Sequence, residues 1–284
     1  MGGTLIPVIL ASDKTHLTNF SGDKAAWPLY LSIGNIKSDV RNKPTKNAWV
    51  LIGYLPSVKF EESKSQTALQ DRLFHQCLKR ILRSLINGGR DGKAMSDSVG
   101  DVRQCFPRLA SYIGDYPEQQ LINVAAHNYS PVTIAGLEDL GNAKILPFRT
   151  RHWILSRIRR LCARVDPSDI MAYEQAAKEQ GLSAVHEPFW EHLPGYQPEL
   201  CVGPDILHGL LKLWRDHVLK WAKKLVGSEE LDRRLRVLQP IVGVRHFSKG
   251  LRNLSQWTGR EDRELQRFLV AVIAGTPKVD SKSM

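Results

Sequence analysis

Hydrophobic positions near the amino terminus fall into three short runs, and each run predicts a β-strand. The first, 7–15, is mostly apolar and ends in a small residue followed by Asp13, which is typical of a buried central strand. The second, 27–35, alternates apolar and polar residues, and the third, 48–56, is an apolar run closed by proline. Three strands before any helical pattern indicate an antiparallel meander with an acid at the end of the first strand.

The hydrophobic period then changes to that of an α-helix. Apolar residues recur every three or four positions and predict a helix over 67–86, ending at the Asn-Gly-Gly sequence 87–89. A short apolar strand over 109–113 follows, and it again ends in a small residue and an aspartate, Asp115. Further helices are predicted over 153–165 and 168–179, from 204 onward, and over 264–273.

The net positive charge of the chain indicates a polyanionic partner. The 284 residues are 42% hydrophobic, which is enough for a large core, but the net charge is +11 with a pI near 9.6. Nucleic acid is favoured over an acidic membrane surface as the partner. The alternative is a basic surface that takes no part in binding.

Cysteine usage and the amino-terminal residues bear on compartment. The four cysteines, Cys77, Cys105, Cys162 and Cys201, form no close pair, so neither a disulfide framework nor a zinc site is expected. No stretch approaches 18 consecutive apolar residues, and no signal peptide or myristoylation pattern is present. We expect a soluble protein of the nucleus or cytoplasm with no membrane partner.

The densest basic segment is 149–164, which carries six arginines and no acid. A solvated helix face with no compensating acids would repel itself, so contact with nucleic acid is favoured. Together with Lys14, the predicted DNA-binding residues are Arg149, Arg151, Arg157, Arg159, Arg160 and Arg164.

Three strands, a helix and a further strand ending in aspartate resemble the opening of the ribonuclease H-like fold. In that fold two acids lie on adjacent central strands and a third comes from a later helix. Phosphodiester attack in such sites uses two divalent ions about 4 Å apart, and Mg²⁺ prefers carboxylate oxygens. We therefore assign Asp13 and Asp115 as the first two catalytic, metal-binding acids.

The third acid has two candidates. Glu261 leads because it is a late helical acid after a long insertion, although it also fits a capping box with Thr258. Asp205 is the alternative, with His208 as an accessory residue on the same side of a helix, although an acid in a first helical turn also complements the helix dipole.

The predicted elements divide the chain into four segments. We expect 1–125 to form the first part of a ribonuclease H-like core and 126–200 to be an irregular and helical insertion. Residues 201–276 are expected to be helical and to contribute to the catalytic core, and 277–284 to be a disordered tail.

Several longer motifs carry a family resemblance. PVILASDKTHLTNFSGDKAAWPLYLSIGNI, VLIGYLP, CFPRLASYIGDYPEQQL, PDILHGLLK and RHFSKGLRNLSQWTGRE resemble the Plavaka group of fungal transposases, related to the Kyakuja–Dileera–Zisupton elements. The resemblance implies a DDE/D transposase of ribonuclease H-like fold with a helical insertion before the last acid. Such an enzyme would bind transposon ends, cut DNA with Mg²⁺ or Mn²⁺, and join the freed 3′-hydroxyl to target DNA.

The chain departs from the family pattern in two ways. Family members carry a Cys-x-x-Cys sequence shortly after the motif matched by 115–118, whereas this chain has no cysteine over 125–131. Family members are also much longer, so the resemblance implies a truncated or degraded copy. The alternatives to an active transposase are a catalytically inactive DNA-binding remnant and a general ribonuclease H-like nuclease. A homo-oligomer is a candidate assembly, and the oligomeric state is left open.

Overall fold

A five-stranded mixed sheet organises the amino-terminal half of the protein. The computed structural model describes residues 2–17, 25–60, 65–252, 254 and 257–276. Its strands are β1 (Thr4–Ser12), β2 (Thr15–His16), β3 (Ala25–Ala26), β4 (Pro28–Ile33), β5 (Val50–Tyr54), β6 (Lys93–Ser96) and β7 (Val102–Ile113). The large sheet has the order β5-β4-β1-β7-β6, and β2 pairs with β3. The predicted α/β class is confirmed, whereas the ribonuclease H-like fold stays a prediction.

The predicted meander is present, and β1 lies at its centre. β1 pairs antiparallel with β4, which pairs antiparallel with β5. On its other side β1 pairs in parallel with β7, with Val8 opposite Leu109 and Ala11 opposite Ile113. Because paired parallel strands end at the same edge of a sheet, the residues that follow β1 and β7 emerge together.

The edge strand β5 shows a limit of the hydrophobic pattern. Its apolar run correctly predicts a strand, but Val50, Leu51 and Tyr54 are exposed. The terminal strand of a sheet lacks a neighbour on one side, and an apolar run alone does not reveal whether a strand is central or terminal.

Helices make up most of the remaining structure. They are α1 (Ser38–Arg41), α2 (Gln66–Ile81), α3 (Arg83–Asp91), α4 (Tyr116–Ile122), α5 (Arg151–Cys162), α6 (Ile170–Glu179), α7 (Pro198–Cys201), α8 (Lys220–Val226), α9 (Ser228–Arg236) and α10 (Gly259–Ile273). The helix predicted from residue 204 is π-helical over Leu207–Lys212 and Arg215–Leu219 before it continues as α8. Within the described part of the chain, none of the helices is long and apolar enough to cross a membrane.

The predicted helix end at 87–89 is wrong. The helical region breaks instead at Leu82, and α3 continues through both glycines to Asp91. A Cβ atom on Gly89 would lie 2.7 Å from the carbonyl oxygen of Pro107 in β7. The glycine therefore allows the helix to approach the strand closely, and it does not terminate the helix.

The chain divides into two compact units, Met1–Gly203 and Pro204–Met284. In the first unit, residues from 126–200 share one hydrophobic core with the sheet and α2; its members include Leu10, Phe74, Tyr112, Ile154, Tyr173 and Trp190. The second unit has its own core, which includes Leu219, Leu231, Leu235, Leu251, Leu265 and Leu269. The tail 277–284, predicted to be disordered, lies outside the described residues.

Candidate functional site

Two aspartates follow the paired strands β1 and β7 at one edge of the sheet. Asp13 comes two residues after Ala11, and Asp115 two residues after Ile113, which is the parallel partner of Ala11. The Asp13 side chain is exposed and accepts a long hydrogen bond of 3.4 Å from Thr15 Oγ1. The half-buried Asp115 is the N-cap of α4, where its Oδ1 accepts from the backbone N–H of Glu118 at 2.9 Å.

A third carboxylate, that of Glu118, joins these two strand ends. Glu118 is 6% exposed, and its Oε1 accepts from Trp27 Nε1 at 2.7 Å and from Ser12 Oγ. Ser12 Oγ also shares a hydrogen bond of 2.8 Å with the phenol of Tyr112 in β7. The network therefore ties the last residue of β1 to both β7 and α4.

Burial and neighbouring negative charges both raise the pKa of the central carboxyl of this cluster. Burial raises the pKa of the Glu118 carboxyl to about 7, and the hydrogen bonds from Ser12 and Trp27 oppose that rise. The charges of Asp115 and Asp13 raise the pKa further, which shows that both aspartates act on the same carboxyl. A cation bound at this edge would relieve the repulsion.

The end of β7 packs closely against Glu118. A Cβ atom on Gly114 would lie 3.0 Å from Glu118 Oε2. Glycine at this position therefore lets α4 turn back so that Glu118 reaches the strand ends.

The donor set of the cluster is suited to a hard divalent cation, since it consists of carboxylate oxygens. Across 2–17, 25–60, 65–252, 254 and 257–276, no group of three or more His, Cys, Asp or Glu side chains is already arranged to hold a metal ion. A complete ligand set is therefore not formed among these residues, and the assignment of Asp13 and Asp115 as metal ligands stays a prediction.

Glu261 has structural partners for both carboxylate oxygens. It lies at the third position of α10 and forms a reciprocal capping box with Thr258, whose backbone N–H donates to Glu261 Oε2 at 2.9 Å. Arg245 Nη2 lies 3.2 Å from Oε1. The capping interpretation of this residue is confirmed, and its assignment as the third catalytic acid stays a prediction.

Asp205 and His208 interact directly with each other. Asp205 Oδ1 accepts from the backbone N–H of His208 at 3.0 Å, and Oδ2 lies 2.6 Å from His208 Nδ1. This is the arrangement of an acid that caps the start of a helix. A catalytic role for the pair also stays a prediction.

The structure separates the predicted DNA-binding arginines into two groups, and the first group is internal. Arg149 is 0% exposed and donates to the backbone carbonyls of Ser130 at 3.0 Å and Gly181 at 3.0 Å. Burial, together with the charge of Arg157, lowers the pKa of Arg149 to about 10. Arg151 donates to the carbonyl of Leu193 at 3.2 Å. These guanidiniums satisfy loop carbonyls, so Arg149 is not available at the surface.

The second group lies on the outer side of α5 and just after its end. Arg159, Arg160 and Arg164 are exposed, and Arg157 stacks on Trp153 with 3.8 Å between its guanidinium carbon and the ring centroid. Lys14, beside Asp13, is also exposed, and its ammonium lies 5.6 Å from the centre of the Trp27 ring. The exposed part of the basic segment is therefore smaller than its arginine count suggests.

Sequence reasoning missed Glu118. The signal was present, because Glu118 is three residues after the strand-end Asp115, with a proline between them that favours a helix start. A residue at that spacing lies on the first turn of the helix and faces back toward the cap.

Comparison with known families identifies the family of the chain. A family model described as Plavaka transposase matches residues 1–222, a span that contains Asp13, Asp115, Glu118 and Asp205 but not Glu261. A comparison with curated proteins finds no match to the chain. Because the family model covers most of the 284 residues, the resemblance drawn from the motifs is confirmed. The chain belongs to the Plavaka transposase family and is a transposon-derived transposase, with DNA as the partner that this family implies.

Proposed function

We propose that this chain is the catalytic region of a DDE-type transposase that cleaves DNA and joins the freed 3′-hydroxyl to a target strand. One observation carries the proposal. Asp13 and Asp115 follow paired parallel strands, and both raise the pKa of the same buried carboxyl. Like-charged side chains gathered at the end of a sheet are a feature of metal-dependent sites.

The proposed cofactor is Mg²⁺ or Mn²⁺, held by Asp13 and Asp115. Carboxylate oxygens suit both ions, and the repulsion around Glu118 gives a cation a favourable electrostatic environment. When bound, the metal would stabilise the charge that develops on the phosphodiester oxygens.

The chain's own residues tie together the two strand ends that carry the aspartates. Glu118 accepts hydrogen bonds from Ser12 and Trp27, while its backbone N–H binds the carboxylate of Asp115. We expect this network to fix both aspartates before DNA arrives, so that little reorganisation is needed during cleavage.

For the third catalytic acid we retain Glu261, with Asp205 as the alternative. A catalytic Glu261 would have to exchange its contacts with Thr258 and Arg245 for a metal ion. For DNA contact we propose Arg159, Arg160 and Arg164, because these arginines of the basic segment are exposed.

The test is cleavage of supercoiled plasmid DNA by the purified full chain with Mg²⁺ or Mn²⁺. We expect Asp13→Asn and Asp115→Asn each to slow nicking by at least about 100-fold, which corresponds to about 2.7 kcal/mol of transition-state free energy. Asparagine keeps the shape of both side chains, and it is also a good N-cap at position 115. Loss of activity in these variants is therefore not explained by loss of α4.

The matched control is Asp39→Asn, which changes an exposed aspartate in α1 and should leave nicking unchanged. Metal-dependent nicking that survives both Asp13→Asn and Asp115→Asn would refute the assignment of these acids.

The second candidate function is a catalytically inactive DNA-binding protein. It is favoured by the lack of a preformed three-ligand group among the described residues and by the exposed arginines of α5. In that case the wild-type chain binds DNA in a salt-sensitive way, shows no metal-dependent nicking, and binds equally well after Asp13→Asn.

A further inference from the structure

A second concave region of the first unit is separate from the strand-end acids. It is a cavity of about 540 Å³ between α2, α4, α6 and the loop that follows α4. Apolar atoms form most of its wall, and they come from residues that include Ala68, Pro117, Leu121, Ala125, Leu182 and Ala184. Neither Asp13, Asp115 nor Glu118 is among its described lining residues. The volume and the apolar wall are typical of a small-molecule site.

The acidic and basic groups that line this cavity include two carboxylates, Asp71 and Glu174, and the ammonium of Lys178. Asp71 of α2 has no hydrogen-bond or ion-pair partner among the residues that the structure describes. Burial raises the pKa of its carboxyl to about 7, and the nearby charge of Glu174 in α6 adds to the rise. Glu174 itself is paired with Lys178, with 2.7 Å between the ammonium and the carboxylate oxygen. Asp71 therefore has a like charge beside it and no donor of its own.

The residues on the other side of Asp71 do not supply that donor. Asp71 also lines a smaller cavity of about 130 Å³ together with Trp27 and Lys14. The ammonium of Lys14 lies over the Trp27 ring, 5.6 Å from its centre. The half-buried carboxyl of Asp71 faces apolar wall and has no donor among the described residues, so a ligand with N–H groups and positive charge would stabilise it.

We propose that the larger cavity binds a linear aliphatic diamine or polyamine, with one ammonium group on the carboxylate of Asp71 and the methylene chain along the apolar wall. The inference does not rest on the proposed transposase activity. Charge selects this class of ligand, because Lys178 neutralises Glu174 and the negative charge of Asp71 is left to attract a cation. A neutral apolar ligand would leave Asp71 without a donor. An alkylammonium satisfies both the carboxylate and the wall.

The experiment is isothermal titration calorimetry of the full chain at pH 8 with 1,4-diaminobutane and with spermidine. We expect saturable binding with one site. Asp71→Asn, which keeps the side-chain volume and removes the charge, should weaken binding at least about 10-fold, and Glu174→Gln should weaken it less, because Lys178 already neutralises Glu174. The matched control is Glu179→Gln, an exposed acid of the same helix that does not line the cavity. Binding to this variant should equal wild type.

Three results would overturn the proposal. They are no saturable binding by the wild-type chain, equal binding by Asp71→Asn, and equally tight binding of 1,4-butanediol, which has the same chain length and no charge. Thermal unfolding of each variant checks that it is folded, and we expect Asp71→Asn to fold because an amide removes an unpaired charge. Plasmid nicking is measured separately, so failure here leaves the assignment of Asp13 and Asp115 untouched.

Discussion

At the sheet edge of the first unit, the buried carboxyl of Glu118 has two aspartates as its charged neighbours. In the second unit, Asp232 is equally buried but accepts from the backbone N–H of Leu251 at 2.6 Å and from Arg252 Nε at 2.9 Å. Burial alone would raise the pKa of both acids. For Asp232 the hydrogen bonds and the charge of Arg252 outweigh burial and lower it.

The difference separates acids whose charge is satisfied by hydrogen bonds and an arginine from acids whose charged neighbours are other acids. Glu261 resembles Asp232, because a cap and an arginine satisfy its carboxylate. Asp262 lies between the two cases, since burial raises its pKa although Arg215 is only 3.1 Å away. An acid whose charged neighbours are only other acids is destabilising in the free protein, and that cost is a reason to look for a missing cation.

The largest expected effect is on the stability of the second unit. Asp232→Ala should lower its free energy of unfolding by about 3–4 kcal/mol, because Leu251 N–H and Arg252 lose a buried acceptor. Urea unfolding followed by amide hydrogen exchange measures the change. Glu229→Ala is the control, since Glu229 is 89% exposed and only 3.8 Å from the same arginine, and it should cost under about 0.5 kcal/mol.

The second prediction is that Glu118 of the first unit and the arginine-paired acids of the second unit contribute oppositely to the pH dependence of stability. The raised pKa of Glu118 means that its contribution to stability is fully present below about pH 4.5 and is lost as the pH rises through about 7. The Glu118 carboxyl should therefore contribute a loss of about 3 kcal/mol between pH 4.5 and pH 8, at 1.36 kcal/mol per pKa unit. The comparison of wild type with Glu118→Gln isolates this loss from the contributions of Asp71, whose pKa is also raised to about 7, and His75, whose pKa is lowered to about 4.

In the second unit, the pKa of Asp232 is lowered, and that of Glu230 is lowered to about 2 by hydrogen bonds from Arg233 and Arg234. Their contribution is present above about pH 4 and is lost on acidification toward pH 2. Hydrogen exchange resolved by unit measures both slopes. If Glu118→Gln leaves the slope of the first unit unchanged, the repulsion at the sheet edge is not its cause.

The third prediction distinguishes a capping Glu261 from a catalytic one. Glutamine also serves in a capping box, so Glu261→Gln should cost under about 1 kcal/mol of stability. If its carboxylate binds the metal, as we propose, nicking falls at least about 100-fold, or about 2.7 kcal/mol. Unfolding and nicking are measured on the same preparation. Unchanged nicking would mean that Glu261 acts only as a helix cap. Asp205→Asn would then be the variant to test for the third catalytic acid.

The smallest effect is expected for DNA binding by α5. Replacing both Arg159 and Arg160 with glutamine should weaken DNA binding several-fold and reduce the slope of log affinity against log salt by about 0.9 per lost phosphate contact. Fluorescence anisotropy at several salt concentrations measures this. Arg90→Gln, an exposed arginine of α3, is the control, and an equal loss in that variant would mean that α5 has no special role.

The predicted order of strands and helices agrees with the structure because hydrophobic period is a local property. The strands of the meander, the strand before Asp115, and α5 and α6 were all predicted from it. The helix end predicted at 87–89 was wrong, because Gly88 and Gly89 lie inside α3 and allow its close contact with Pro107, some twenty residues away. The exposure of β5 was missed because the place of a strand in its sheet depends on pairing with residues distant in the sequence.

Some residues of the candidate site were also predictable from local sequence, and others were not. Two small-residue–aspartate pairs at strand ends identified Asp13 and Asp115, since that pattern is visible in the sequence. Glu118 was missed, because its importance lies in a hydrogen bond to Ser12, more than a hundred residues earlier in the chain. Arg149 was overestimated, because the count of arginines does not reveal that its guanidinium serves backbone carbonyls.

By itself, the sequence determined the type and order of the main elements, the positive charge of the chain and its family, because these depend on residue identity and local spacing. Tertiary structure alone decided which charges are partners. Asp13, Asp115 and Glu118 share one edge because β1 and β7 pair in parallel, while Glu261 and Arg149 are held by caps and carbonyls. The chemistry of a carboxylate depends on its surroundings in space, and parallel strand pairing brings together residues that are far apart along the chain.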